Sequence, residues 1–331
     1  FVSVQMAIIV GPAVGAGAME ASRLSSKDVA TVAAVLSWTT SSVGMMVFNK
    51  LAISAFPAEC TLTAIQMVAT VVLLLLFARK SVRIGSSEDV LRWCLVVPFF
   101  VGMLLTSLLA LKEAPMSLVI AFRGTSPILA LSIERLYPNP LKISVPMLVS
   151  MFAMCFGVAL YCHDLHLAES WTGIAWVFLN SILAVGDRLV QRYLLAKEHR
   201  PVDISTAGVA VLNNGLSLVP IAAAVLATGE YSKVGALVAR LDGAGVAWVL
   251  ASCVAGCGIS FTGIWVTSLI SATSFLVLIN TSKFAVLLLE VFFMKTKHPL
   301  TQVQIAGVIV IILAGAIYGK ARRDVEEQCN K

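Results

Sequence analysis

The feature that most constrains the fold of this chain is a series of apolar runs, each about twenty residues long. A helix needs roughly 20 apolar residues to cross the ~30 Å hydrocarbon core of a bilayer. Hydrophobic residues make up 59% of the 331 residues and charged residues only 13%. A soluble domain could not bury so much apolar surface, and a disordered chain would be far more polar. The sequence therefore predicts an all-α membrane protein.

Ten such runs are separated by turn residues and charges. The predicted spans are 29–50, 58–78, 91–111, 115–136, 142–162, 171–194, 204–228, 244–267, 270–294 and 299–319. Residues 1–28 contain a short apolar stretch interrupted by glycine and proline, which weaken helices. We expect these residues to form a flexible or interfacial leader rather than an eleventh span. Residues 320–331 are expected to form a polar C-terminal tail.

The basic residues are distributed unevenly between the two ends of the predicted spans. One side receives Arg23, Lys27, Arg79, Lys80, Arg83, Arg135, Lys142, Arg192, Lys197, Arg200, Lys320, Arg322 and Arg323, and the other receives Lys112, Lys233, Arg240, Lys295 and Lys297. Basic loops stay in the cytosol. This asymmetry predicts that both termini are cytosolic.

The two halves of the chain resemble each other weakly. Segment 117–134 has a basic residue followed by a glutamate, as does segment 274–290, and each is followed by a Pro-Leu pair that opens another apolar run. Because each repeat would have an odd number of spans, the second repeat would cross the membrane in the opposite orientation to the first. The sequence thus predicts a 5+5 inverted repeat, 29–162 and 171–319, an architecture typical of transporters with a central binding site.

Four consecutive polar residues, Asn280-Thr281-Ser282-Lys283, interrupt the ninth span. They cover about 300° of a helix, so one packed face cannot contain them all. Polar groups at membrane depth are expensive unless they face a wet cavity or a partner. We interpret Lys283 as a cation for an anionic ligand; a structural salt bridge to Glu290 is the alternative.

Further polar residues lie deep in other spans. Arg123 in the fourth span could pair with a phosphate group or form an ion pair with Glu134 or Glu290. Asn213 and Asn214 in the seventh span offer paired donors and acceptors that suit a nucleobase edge, or hydrogen bonds between helices.

A group of charges closes the sixth span. Asp187, Arg188 and Arg192 all fall near its end, where the chain is predicted to leave the membrane. Their position predicts a charged cluster at the membrane surface.

Several classes of function are disfavoured. The chain contains no G-x-S-x-G, Walker or H-E-x-x-H motif, which disfavours an enzyme or an ATP-driven pump. Five of the seven cysteines lie within apolar runs without zinc-type spacing, so no metal or other cofactor is expected. The basic residues are spread over loops and the tail rather than gathered on one face, which disfavours a nucleic-acid polymer as partner.

Five segments resemble a known family. These are residues 256–265 (Gly-Cys-Gly-Ile-Ser-Phe-Thr-Gly-Ile-Trp), 271–275 (Ser-Ala-Thr-Ser-Phe), 282–284 (Ser-Lys-Phe), 211–218 (Val-Leu-Asn-Asn-Gly-Leu-Ser-Leu) and 47–50 (Val-Phe-Asn-Lys). They are similar to the nucleotide-sugar transporters of the drug/metabolite transporter superfamily, most of all to fungal and plant Golgi GDP-mannose transporters.

The resemblance implies roles for individual residues. It places Asn213, Asn214 and Ser260 on the guanine base and Lys283 on phosphate. Phe275 falls where the family has tyrosine, so one hydroxyl contact is missing here. The family's Gly-Ala-Leu-Asn-Lys motif corresponds to residues 279–283. Here Ile279 replaces the glycine, Ser282 replaces the asparagine, and the lysine is kept. Asn280 and Ser282 are also candidate substrate-binding residues. These differences leave the sugar open.

The implied function is exchange of a cytosolic GDP-sugar for lumenal nucleoside monophosphate (GMP) across the Golgi membrane, without a cofactor. A UDP-sugar transporter, or a plastid-type sugar-phosphate translocator, is the alternative within the superfamily, with the endoplasmic reticulum or a plastid as the corresponding membrane. A scaffold or receptor that transports nothing is the alternative outside it. The spacing of Gly315 and Gly319 is compatible with a homodimer contact.

Overall fold

The computed structural model describes residues 26–113, 126–136, 142–162, 171–196, 201–293 and 301–329. All regular structure in these ranges is helical. The expected leader is described only from Ser26 onward, and Arg123 lies outside the described residues.

The helices are numbered in chain order. They are α1 (Ser26–Ala55), α2 (Glu59–Phe77), α3 (Ser87–Trp93), α4 (Val96–Glu113), α5 (described over 126–134), α6 (Val145–Cys162), α7 (Trp171–Leu195), α8 (Thr206–Ala227), α9 (Tyr231–Arg240), α10 (Gly243–Leu269), α11 (Ala272–Phe293) and α12 (Gln302–Cys329).

The described residues include eight segments that are long and apolar enough to cross a membrane. They match the first, second, third, fifth, sixth, seventh, eighth and tenth predicted spans, which confirms a multi-span helical membrane protein. The ninth predicted span corresponds to α11, whose described apolar stretch is Ala272–Ser282. The fourth is described only from residue 126. The count of ten spans therefore stays a prediction.

Three features differ from the sequence-based expectation. The third span begins earlier, at α3, because the Ser86 hydroxyl and the Asp89 carboxylate form a capping box that starts a helix there. α12 continues beyond the predicted span to Cys329, since the residues after 319 are mostly good helix formers. The short helix α9 between α8 and α10 was not predicted from the sequence.

The chain divides into two compact units. Unit 1 draws its described residues from Phe1–Leu36, Thr106–Leu189 and Leu269–Lys331; unit 2 consists of Ser37–Leu105 and Val190–Ser268. Each unit thus combines segments from both halves of the sequence.

Unit 1 is organised around α6 and α12, the fifth and tenth predicted spans, which pack closely. Their buried side chains, including Met151, Met154 and Ile311, form one apolar core. The helices approach at Gly157 and Gly307, where any side chain would overlap the opposite backbone. The other face of α6 exposes Phe152 and Phe156, as expected of a surface that contacts lipid.

Unit 2 is organised around α2 and α8, the second and seventh predicted spans. Its core contains Leu74, the fully buried Trp93, and Val209 and Ala210 of α8. The start of α8 is fixed by Ser205, whose hydroxyl accepts a hydrogen bond from the Gly208 amide at 3.1 Å and donates one to the Ser81 carbonyl at 2.6 Å. This cap holds the first turn of α8 against the segment that follows α2.

We predict that Gly307→Ala destabilises the protein. The new Cβ would lie 2.6 Å from the Gly157 carbonyl oxygen and 2.7 Å from the Tyr161 amide nitrogen, so α6 and α12 would have to separate. Overpacking of this kind costs about 1–3 kcal/mol. The measurement is the melting temperature of the full chain in detergent.

Gly215→Ala in α8 is the matched control for this change. A Cβ at Gly215 meets nothing within 4 Å, so its melting temperature should equal or exceed that of the wild type. An unchanged melting temperature for Gly307→Ala would contradict the described contact between α6 and α12.

Candidate functional site

The first half of α11 is enclosed by protein. Every residue from Ala272 to Ser282 is buried except Ser274 and Ile279, which are half-buried. Asn280 and Ser282 are each only 4% exposed. A helix enclosed in this way keeps its polar side chains out of the lipid. The polar stretch predicted from the sequence thus begins in the interior of unit 1.

Different faces of α11 contact different neighbours. Val277 belongs to the core formed with α6 and α12, and Leu276 packs against Ala130 of α5 and Val185 of α7. Thr281 faces Gly315 of α12, where a Cβ would overlap the Thr281 hydroxyl. Gly315 is therefore used in a contact within the chain.

The other polar candidates of this group are Ser282, Lys283 and Arg123. The Ser282 hydroxyl donates to the Leu278 carbonyl of its own helix at 2.7 Å. Lys283 continues α11, but its side chain lies outside the described part of the structure, as does all of Arg123. The assignment of both cations to an anionic ligand stays a prediction.

The N-terminus of α11 is capped by a carboxylate from another helix. Glu134 of α5, 4% exposed, accepts hydrogen bonds from the Ala272 amide at 2.8 Å and the Thr273 amide at 3.4 Å. It also accepts one from the Thr273 hydroxyl at 2.5 Å. A negative charge satisfies the free amides and the positive dipole of a helix N-terminus. Glu134 therefore fixes the start of the helix that contains the polar stretch.

An arginine lies beside the next candidate residue. Phe275 is fully buried, and the guanidinium carbon of Arg188 lies 4.8 Å from the centre of its ring. Nε of the same arginine lies 3.7 Å from a carboxylate oxygen of Asp187, which is also fully buried. The stacked arginine fixes the Phe275 ring in unit 1 by a cation–π contact.

The charges near the end of the sixth predicted span are largely enclosed by protein, which the sequence did not indicate. Asp187 is 0% exposed and Arg192 is 8% exposed. The Arg192 guanidinium donates to the Thr267 and Ser268 carbonyls at 3.1 and 2.9 Å. These carbonyls belong to the last turn of α10, where a cation is favourable. The charges are buried because each is matched inside the protein.

The asparagine pair in unit 2 is buried in the middle of α8. Asn213 and Asn214 are both 4% exposed. The Asn214 amide nitrogen donates to the Ala210 carbonyl at 2.8 Å, within its own helix. The Asn213 side-chain oxygen is buried and has no hydrogen-bond partner among the described residues. A buried acceptor without a donor costs about 1–3 kcal/mol, so Asn213 is unfavourable for the unliganded fold.

Ser260 belongs to the same unit as the pair. It is half-buried on α10, next to Phe261, which packs with Val209 and Ala210 of α8. All three predicted base contacts therefore lie in unit 2.

The predicted site residues that are described form two groups. Phe275, Asn280 and Ser282 belong to unit 1; Asn213, Asn214 and Ser260 belong to unit 2. Within the described ranges, no three His, Cys, Asp or Glu side chains come together where they could hold a metal ion. The groups offer amides and hydroxyls, which bind polar ligands by hydrogen bonds.

Sequence reasoning missed how Glu134 and Arg188 act on α11. The signal for Glu134 was present, since a carboxylate within an apolar run needs a partner. From the sequence alone, Glu134 is predicted only as a counterion for Arg123. The contact between Arg188 and Phe275 joins residues far apart in the sequence, and no local pattern indicates it.

Comparisons with known proteins support the resemblance. The chain is 26% identical over 315 residues to GDP-fucose transporter 1 of Arabidopsis thaliana, covering 91% of this chain and 89% of the relative. A solved crystal structure with 18% identity matches with a TM-score of 0.62 over 90% of this chain and 99% of that one. The latter shows a shared fold alone. No protein-family model matches.

The chain is a multi-span membrane protein similar to a nucleotide-sugar transporter. Because that relative is a transporter, the expectation that the chain is not an enzyme agrees with the comparison. The similarity supports the nucleotide-sugar transporter resemblance as a whole; a specific resemblance to GDP-mannose transporters stays a prediction.

We predict that Glu134→Ala destabilises unit 1. The substitution leaves the Ala272 and Thr273 amides and the Thr273 hydroxyl without their buried acceptor. Each unsatisfied buried group costs about 1–3 kcal/mol. The melting temperature of the full chain in detergent should fall clearly, and Glu134→Gln, which keeps one acceptor oxygen, should fall less.

Ser132→Ala is the matched control on α5. Ser132 is exposed, and its hydroxyl bonds only to the Ile128 carbonyl of its own helix among the described residues. Its loss should leave the melting temperature nearly unchanged. Equal effects of Glu134→Ala and Ser132→Ala would contradict the capping role of Glu134.

Proposed function

We propose that the protein is a nucleotide-sugar antiporter that exchanges a GDP-sugar, such as GDP-mannose, for GMP by alternating access. In this proposal ten spans form a 5+5 inverted repeat in the Golgi membrane, with both termini cytosolic. The protein similar to this chain is named as a GDP-fucose transporter, which supports a guanine nucleotide and leaves the sugar open.

The observation that carries the proposal is the unsatisfied oxygen of Asn213. It is buried in a membrane-spanning helix, and none of the described protein groups donates a hydrogen bond to it. Guanine presents ring and amino N–H donors along one edge, and such a donor would satisfy the oxygen on binding. The energy that this acceptor costs the unliganded protein would then be recovered only with a ligand present.

The burial of α11 supports the phosphate end of the proposed site. Residues 272–282 are enclosed within unit 1, so Lys283, the next residue of this helix, follows a polar stretch that does not face lipid. An ammonium group at membrane depth requires a counter-charge, and the diphosphate of a nucleotide sugar provides one. GMP also has a phosphate, so the same residues can serve both substrates.

The packing of the units supports the inverted repeat. The fifth and tenth predicted spans pack together in unit 1, and the second and seventh pack together in unit 2. In a repeat of five, these are equivalent helices of the two halves. Binding of either substrate would stabilise an occluded intermediate, from which the two halves can reorient. Without substrate, the carrier would reorient slowly.

The experiment that tests the proposal is a thermal-shift series on the purified full chain. GMP and GDP-mannose should raise the melting temperature, because a ligand at 100 times its Kd stabilises the folded state by about 2.7 kcal/mol. UMP and triose phosphate should raise it less. Asn213→Leu should lose the GMP shift while its unliganded melting temperature equals or exceeds the wild type.

Ser217→Ala provides the matched control, one turn further along α8. Ser217 is fully buried, and its hydroxyl already donates to the Asn213 carbonyl at 2.6 Å. This variant should keep the GMP shift. A shift with UMP and none with GMP would replace the proposal with the UDP-sugar alternative, and no shift with any of the four compounds would favour the scaffold.

A further inference from the structure

The short helix α9 lies at one end of two membrane spans. Three residues separate it from the end of α8, and two separate it from the start of α10. Its 10 residues are about 15 Å long, half of what is needed to cross the ~30 Å core. Because α8 and α10 are both candidate spans and the connections are so short, α9 must lie near the membrane surface.

One flank of α9 is attached to unit 2. Val234, Leu237 and Leu241 pack against the cluster of Phe56 and Leu62 at the adjoining ends of α1 and α2.

The residue before α9 strengthens this attachment. The Glu230 carboxylate accepts hydrogen bonds from the Cys60 amide at 3.1 Å, the Thr61 amide at 2.7 Å and the Thr61 hydroxyl at 2.8 Å. These contacts fix the rotation of the helix about its axis.

The fixed rotation gives α9 two distinct free edges. Tyr231 and Val238, seven residues apart, share one edge and are 61% and 58% exposed. Lys233 and Arg240, also seven residues apart and exposed, lie about 200° further round the helix. The flank opposite the packed one contains only small exposed residues, among them Ala236.

We propose that α9 is a surface-binding helix whose partner is the bilayer surface, with Tyr231 and Val238 at the boundary of headgroups and acyl chains and Lys233 and Arg240 at lipid phosphates. An apolar edge opposite a basic edge is the pattern of helices that lie in the membrane plane. Large apolar side chains are also exposed near the adjoining ends of α8 and α10, where Leu226 is 64% and Val246 is 42% exposed. Lysine and arginine at the ends of spans extend to the phosphate groups of lipids.

The first test measures depth. Spin labels are attached to Val238→Cys, to Tyr231→Cys as a second position on the same edge, and to Lys233→Cys, in a full chain freed of its native cysteines and reconstituted in vesicles. Oxygen concentrates in hydrocarbon and a nickel chelate in water. The spin labels at positions 238 and 231 should collide mainly with oxygen, and the label at position 233 should collide mainly with the nickel chelate. Dominance of nickel at all three positions would overturn the proposal.

The second test measures how much Lys233 and Arg240 contribute to stabilisation by anionic lipid. In phosphatidylcholine vesicles, adding phosphatidylserine should raise the melting temperature of the wild type and of a control with Lys80→Gln and Arg135→Gln, two exposed residues elsewhere. The double variant Lys233→Gln/Arg240→Gln should lose most of that rise. An equal rise in both double variants, or an equal loss, would overturn the assignment of the basic edge to lipid headgroups.

Discussion

The constraint on which this structure depends is that polar groups inside a membrane must find their partners within the protein. Lipid offers neither donors nor acceptors, so a polar side chain at depth is tolerated only where other protein groups or a ligand enclose it. α11 meets this requirement because protein surrounds its first half on all sides. α6 shows the opposite arrangement, with large apolar side chains exposed along one face.

The same constraint explains how helix ends are stabilised. Glu134 caps the start of α11, Glu230 the start of α2, and Arg192 the end of α10. In each case a charge of the sign opposite to the helix dipole comes from a segment distant in sequence. These contacts fix several helices within their units. The Asn213 side-chain oxygen is one of several buried polar atoms without a hydrogen bond among the described residues, and in our proposal a bound ligand satisfies it.

The sequence predicts most of the spanning helices because a long apolar run has few other possible structures in a membrane. It does not predict α9. This ten-residue helix is too short for a span and mixes polar with apolar residues, and its position is fixed by contacts near the adjoining ends of α1 and α2. For the candidate site, Asn213, Asn214 and Asn280 could be identified as polar residues at depth. That Asn214 is satisfied by its own helix while Asn213 is not depends on side-chain geometry, which no local pattern determines. The burial of Asp187 and Arg192 could not be predicted for the same reason, since it depends on tertiary contacts.

The central claim is that buried polar groups in this membrane protein bind the guanine nucleotide portion that the two exchanged substrates have in common. Counterflow in proteoliposomes tests it most directly, by comparing uptake of labelled GDP-mannose into vesicles loaded with GMP and into empty ones. The account predicts rapid uptake only into loaded vesicles, lost in a folded Lys283→Ala variant and kept in Lys320→Ala, which changes an exposed lysine near the C-terminus. Equal uptake into loaded and empty vesicles, or exchange unaffected by Lys283→Ala, would contradict it.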